Sequence, residues 1–117
     1  MRHHKQGRKF HRITGRRKSF LRNLMCDLIR HGKIDTTEAR AKSLRPMVER
    51  LVTFAKKGTL ASRRLLIARL GQEKLVTKLI EDTAPRYAER KGGYLRIVKL
   101  AKPRKRDAGK MARIEFV

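Results

Sequence analysis

Positive charge sets the terms on which this chain can become compact: 33 Lys and Arg stand against 10 Asp and Glu in 117 residues, a net +23 at pH 7. Self-repulsion of that size opposes the folded state unless something polyanionic neutralises it. The sequence therefore asks for a nucleic acid, an anionic membrane surface or an acidic protein partner. Apolar residues make up 39% of the chain and fall in short periodic runs, which excludes a disordered polycation with nothing to build a core from. The length suits one compact domain and is too short for two of ordinary size.

Residues 1–18 hold eight Arg or Lys and no acid, with Met1, Phe10 and Ile13 as the only sizeable apolar side chains. This segment reads as a basic arm without a core of its own. From Ser19 the pattern turns helical: Phe20, Leu21, Leu24, Met25, Leu28 and Ile29 recur at helix spacing, Ser19 supplies a cap, and Gly32 a terminator after His31. Lys33 to Thr36 reads as a brief strand. Thr36 or Thr37 then caps a long helix with Ala41, Leu44, Val48, Leu51, Val52 and Ala55 on one face. Pro46 removes one backbone bond inside it, but the apolar phase continues across, so a kink is expected in preference to a break.

Gly58 and Thr59 mark a stop and a new cap. Leu65, Leu66, Ile67 and Leu70 define a short helix, and Gly71 separates it from one holding Leu75, Val76, Leu79 and Ile80. Pro85 is expected to end the helical region. Behind Gly92 and Gly93, Tyr94 to Leu100 and Met111 to Val117 read as strands, the second with Ala112, Ile114 and Phe116 on one face. The expected fold is α+β: several packed helices with a small three-stranded, mostly antiparallel sheet and an extended basic N-terminal arm. Its divisions are the arm at 1–18 and a single domain at 19–117, with a basic loop at 101–110.

Catalytic chemistry has little to work with. Glu81 and Asp82 are the only adjacent acids, whereas a two-metal nuclease needs converging carboxylates. There is no GxxxxGK[ST] phosphate loop and no GxSxG elbow. Four histidines and Cys26 lack the paired spacings of a zinc site, so neither metal nor cofactor is expected. A single cysteine suits a reducing compartment. No stretch approaches the roughly 20 apolar residues of a membrane span, and the basic start lacks a signal-peptide core. A soluble, cytoplasmic protein with no small-molecule substrate is expected.

Charge concentrates at the two ends, with +8 on residues 1–18 and +6 on 92–117. Arg and Lys hold phosphates by charge and, for Arg, by a bidentate planar fork. Nucleic acid therefore explains the composition most economically. Arginines interleaved with His3, His4, Phe10 and His11 have the further capacity to stack on unpaired bases, as in proteins that bind irregular RNA.

Four pieces of the sequence carry a family resemblance: MRHHKQGRKFHR at the start, RNL at Arg22 to Leu24, IDTTEARAKSLRP at Ile34 to Pro46, and APRYAERKGGYLRI at Ala84 to Ile97. In this order and length the chain resembles the family of bacterial large-subunit ribosomal protein seventeen, nearly end to end. The resemblance implies a structural, non-enzymatic constituent of the large ribosomal subunit. It further implies contact with large-subunit ribosomal RNA and with neighbouring large-subunit proteins near the nascent-peptide tunnel exit. Matched motif by motif, it implies RNA contacts at Arg2, His3, Lys5, Gly7, Arg8, Lys9 and Arg12 on the arm, Arg22 and Asn23 on the first helix, and Lys42 and Arg45 on the long helix. Arg96 beside Gly92, Gly93 and Tyr94 is a further candidate, and Arg16 and Arg17 join from the arm's basic run. Lys102, Arg104, Lys105 and Arg106 are candidates from charge alone. Where the family commonly has an Asn and then two serines in the arm, this chain has His11, Ile13, Thr14 and Gly15, so those contacts do not transfer. The competing reading is a general nucleic-acid-binding or RNA-chaperone protein; a nuclease and a membrane-surface peptide fit the residues less well.

Overall fold

The computed structural model describes residues 3–4 and 7–117. Its elements are α1 (Thr14–His31), β1 (Lys33–Thr37), α2 (Glu38–Lys57), α3 (Leu60–Leu70) and α4 (Glu73–Lys78). A π-helical turn (Leu79–Thr83) runs on into α5 (Ala84–Arg86), and β2 (Leu95–Lys99) and β3 (Met111–Phe116) close the chain. The sheet has the order β1-β3-β2 with both pairings antiparallel. The α+β architecture is the one expected.

α2 is the element around which the others pack. Ala41, Leu44, Val48, Leu51, Val52 and Ala55 form its buried stripe, none more than 3% exposed. They recur at the three- and four-residue spacing that keeps one helical face inward. Against α2 lie α1, α3, the π-helical turn, α5 and all three strands. Thr37 caps the helix by accepting the Arg40 N–H at 3.3 Å, and Gly58 ends it in the left-handed conformation (φ 64°), where a Cβ would be strained. The helix runs unbroken past Pro46. Pro46 has no N–H for the Lys42 carbonyl, and both residues are exposed, where a carbonyl without its helical donor costs less than it would in the core.

The sheet presents alternate residues to α2. Ala112 and Ile114 of the central strand are fully buried, with Ile34 and Ile97 opposite Ile114, and Leu95 opposite Phe116. The other face carries Asp35, Arg113, Arg96 and Glu115, paired across strands as Arg113–Asp35 and Arg96–Glu115, each at 2.7 Å. The segment Ala84 to Ile97 is largely a clasp. Tyr87 donates its hydroxyl proton to the Val117 carbonyl at 2.7 Å and stacks near Phe116. Lys56 Nζ donates to the Tyr94 hydroxyl at 3.0 Å and to the Arg90 carbonyl at 2.5 Å.

β2 is one residue shorter at each end than the expected Tyr94 to Leu100, and two helical boundaries also differ from the sequence expectation. α1 begins at Thr14, so Ser19 lies inside the helix and Thr14 to Lys18 of the expected extended arm are helical. Those residues face solvent and carry no apolar period to read. Their turn is held instead by the Arg17 N–H bonding the Ile13 carbonyl at 2.9 Å and by Arg17 Nη1 bonding the Arg12 carbonyl at 3.0 Å. The helical run also passes Pro85 and ends at Arg86. Pro85 sits in the final short segment, directly after the π-helical turn, and the helix ends one residue beyond it.

Leu51 is 1% exposed, whereas Leu24 is only partly buried against the core. Leu51→Ala is expected to lower stability by about 2–5 kcal/mol and Leu24→Ala by less. Urea unfolding curves check this; equal and small losses at both sites would contradict the packing described.

Candidate nucleic-acid interface

The arm and the β2–β3 loop are far apart in sequence, and both lie against the first turn of α2. Phe10, His11, Arg12, Thr37, Ala39, Arg40 and Arg104 line one open hollow there. An adjoining one is lined by Arg8, Lys42, Arg104, Gly109 and Lys110, among others. The arm is seated by aromatic and hydrogen-bond contacts. Phe10 meets Phe20 of α1 edge-on at 5.8 Å, and the Arg12 guanidinium lies 3.9 Å from the centre of the Phe20 ring. Arg12 Nη1 donates to the Phe10 carbonyl at 2.8 Å, and Arg8 Nη1 donates to Ser43 Oγ of α2 at 3.1 Å. Phe10 and His11 both adopt positive φ (53° and 54°), which turns the arm back toward α2.

From α2, Arg40 reaches the same aromatic ring, 4.9 Å from its centre. Its burial first, and then the positive charges of Arg12 and Arg104, hold its pKa below the ordinary guanidinium value. Three arginines from three separate segments thus crowd one place, and the positive charges of Arg12 and Arg104 disfavour that of Arg40. An incoming anion reverses that penalty.

The loop is tied down at both ends. The Glu38 N–H bonds the Lys110 carbonyl at 3.0 Å, and Leu100 N–H bonds the Met111 carbonyl at 2.9 Å. Within it, Asp107 accepts from Arg104 Nε at 2.8 Å and from Arg104 Nη2, while the Gly109 N–H bonds Asp107 Oδ1 at 3.1 Å. A Cβ on Gly109 would stand 3.1 Å from Arg104 Nη2 and 3.2 Å from Asp107 Oδ1, so a side chain there would make the Arg104–Asp107 pair give by a few tenths of an ångström. Lys102, Lys105 and Arg106 are exposed on this braced loop.

The expected site residues divide accordingly. Arg8, Lys9, Arg12, Lys42 and Arg104 come together around the start of α2, with Gly7 exposed on the approach. Arg2 and Lys5 lie outside the described residues. His3 is exposed in a turn of the arm. Arg16 and Asn23 are exposed on α1, while Arg17 and Arg22 line a separate groove between helices. Lys42 bonds Glu38 at 2.7 Å, and Arg45 bonds Glu49 at 3.4 Å, so each already has a carboxylate partner. Arg96 belongs to the outer sheet face, answered by Glu115, and its neighbour Tyr94 is buried in the clasp.

Sequence reasoning missed Arg40 and the seating role of Phe20. A signal for Arg40 exists: a cation in the first turn of a helix opposes the helix dipole, so its presence there calls for another reason. Cys26 is buried on α1, with its thiol 3.6 Å from the Leu70 carbonyl and burial raising its pKa, which fits a packing role. Among the described residues no three His, Cys, Asp or Glu side chains gather as a metal site, and no helix is long and apolar enough to cross a membrane.

A family model described as ribosomal protein L17 matches residues 20–117. The large ribosomal subunit protein bL17 of Persephonella marina is 53% identical over 118 residues, covering 100% of this chain and 95% of the relative. Its counterpart in Dehalococcoides mccartyi is 47% identical over 117 residues, covering 100% of this chain and 99% of the relative. That of Orientia tsutsugamushi strain Ikeda is 51% identical over 117 residues, covering 100% and 80%.

The hydrogen bond from Arg104 holds the Asp107 carboxyl down at about 2, helped by the Gly109 N–H. A lowered carboxylate pKa means the brace stabilises the fold above the ordinary value of 3.8 and loses that contribution as pH falls through about 2. Carboxyl NMR titration is expected to show the low midpoint, and Arg104→Ala to return it toward 3.8. An ordinary midpoint in the parent protein would contradict the braced loop.

Proposed function

Because the chain belongs to the ribosomal protein L17 family and is a structural component of the large ribosomal subunit, we propose that it works by clamping ribosomal RNA between its arm and its β2–β3 loop. The observation that carries this reading is the meeting of Arg8, Arg12, Arg40 and Arg104 at the start of α2. Among the described residues Arg8, Arg12 and Arg40 enter no ion pair, and Arg104 pairs with Asp107. Phosphates arriving there replace mutual repulsion with charge-assisted hydrogen bonds and release counterions. Phosphate contacts set position and orientation, which is what a structural component of a ribonucleoprotein has to supply. The chain performs no reaction. Its place is beside neighbouring large-subunit proteins near the nascent-peptide tunnel exit, as its family resemblance implies, within cytoplasmic ribosomes.

The double substitution Arg8→Ala with Arg12→Ala tests the clamp. It is expected to reduce incorporation into large subunits and to lower the slope of log affinity against log salt by about 1.4 to 1.8. Urea unfolding is expected to stay within about 1 kcal/mol of the parent, since Arg8 is exposed and the contacts of half-buried Arg12 seat the arm and lie outside the core. Full incorporation with an unchanged salt slope would overturn the proposal. Competition at physiological salt separates it from general nucleic-acid binding: large-subunit ribosomal RNA is expected to win over duplex DNA of equal length.

A further inference from the structure

A second basic hollow, of about 370 Å³, lies between α1, α2 and α3, and the arm–loop site does not use it. Its floor is apolar: Leu21 and Met25 come from α1, Met47 and Leu51 from α2, and exposed Ala68 of α3 borders it without filling it. Around the mouth stand Arg17, Lys18, Arg22, Arg50 and Arg69, with no acid among the lining residues. None of these five enters an ion pair among the described residues. The outer sheet face is built the other way, with Arg96 and Arg113 each answered by a carboxylate of this same chain. In the groove the answering charge has to come from outside.

The ligand that matches an apolar floor under a ring of cations is flat and apolar at its centre and negative on either side. A nucleotide lifted out of its stack has that form: a base for the floor and flanking phosphates for the rim. Resting on the ribosomal-RNA reading above, we infer that the α1–α2–α3 groove receives one unstacked nucleotide of that RNA. Proteins that recognise irregular RNA take up splayed bases against apolar side chains and guanidinium planes, whereas a regular duplex keeps its bases stacked and offers none. Met25 and Met47 suit this task, because an unbranched, polarisable thioether adapts its shape to a planar ring. An apolar peptide side chain would fill the floor and leave five cations unanswered. Arg22 stands at this groove, apart from the arm, and the proposal gives this first-helix arginine a phosphate to meet without facing the clamp.

The test uses assembled large subunits in which a photoreactive p-benzoyl-phenylalanine replaces either Ala68 or Arg8. Irradiation is expected to give RNA adducts at both positions, with the adduct at 68 mapping to an unpaired nucleotide. An adduct at 68 to protein or to base-paired RNA, or no adduct there, would overturn the groove while the adduct at 8 left the clamp standing. No RNA adduct at either position would overturn both. A second variant, Ala68→Glu, places a carboxylate at the mouth on an already exposed side chain. Parental unfolding with about 10-fold weaker binding to large-subunit ribosomal RNA is expected, and unchanged affinity would count against the groove.

Discussion

Burial of the apolar stripe of α2 is the interaction on which the rest of this protein depends. Ala41, Leu44, Val48, Leu51, Val52 and Ala55 contact the sheet on one side and the other helices around it, and a chain of net charge +23 has no other comparable source of cohesion. The same helix carries Arg40 and Lys42 at its start and Arg50 beside the groove, so the element that forms the core also fixes the spacing of the basic side chains. Rigid support of this kind is what the proposed RNA clamp requires of its cations.

The few acids are distributed unevenly. Asp35 and Glu115 pair with arginines on the outer face of the sheet, and Asp107 braces the loop from within. Exposed pairs of this type add little stability individually, but they reduce self-repulsion where they occur. Among the described residues, the cations of the arm, the early turns of α1 and the groove have no such partners. The result is a molecule whose sheet face pairs both its arginines with its own carboxylates, while the clamp and the groove are far more basic.

Most of the fold was legible because apolar spacing reports it directly. The stripe of α2, the alternation of Ala112, Ile114 and Phe116, and the glycines after the first three helices all lie where the periodicity puts them. The start of α1 was not legible, because Thr14 to Lys18 face water and their turn depends on Arg17 bonding back to the chain. For the site, charge identified the arm and the loop but not their meeting place. Arg40 needs the tertiary approach of Phe20 and Arg104 before its role is visible, and the pairing of Arg96 with Glu115 follows from strand register, which no local pattern encodes. Arg45 is different: Glu49 stands four residues on, so its carboxylate partner was readable from the sequence.

The central claim is that the arm and the loop form one surface covered by RNA while the sheet face is not. Lysine acetylation of intact large subunits, read residue by residue before and after nuclease digestion, tests it most directly. Lys9, Lys105 and Lys110 are expected to be protected together and to become reactive once the RNA is digested, with Lys33 of the outer sheet face unaffected by the digestion. Nuclease-dependent protection of Lys33 with Lys9, Lys105 and Lys110 reactive throughout would contradict the account.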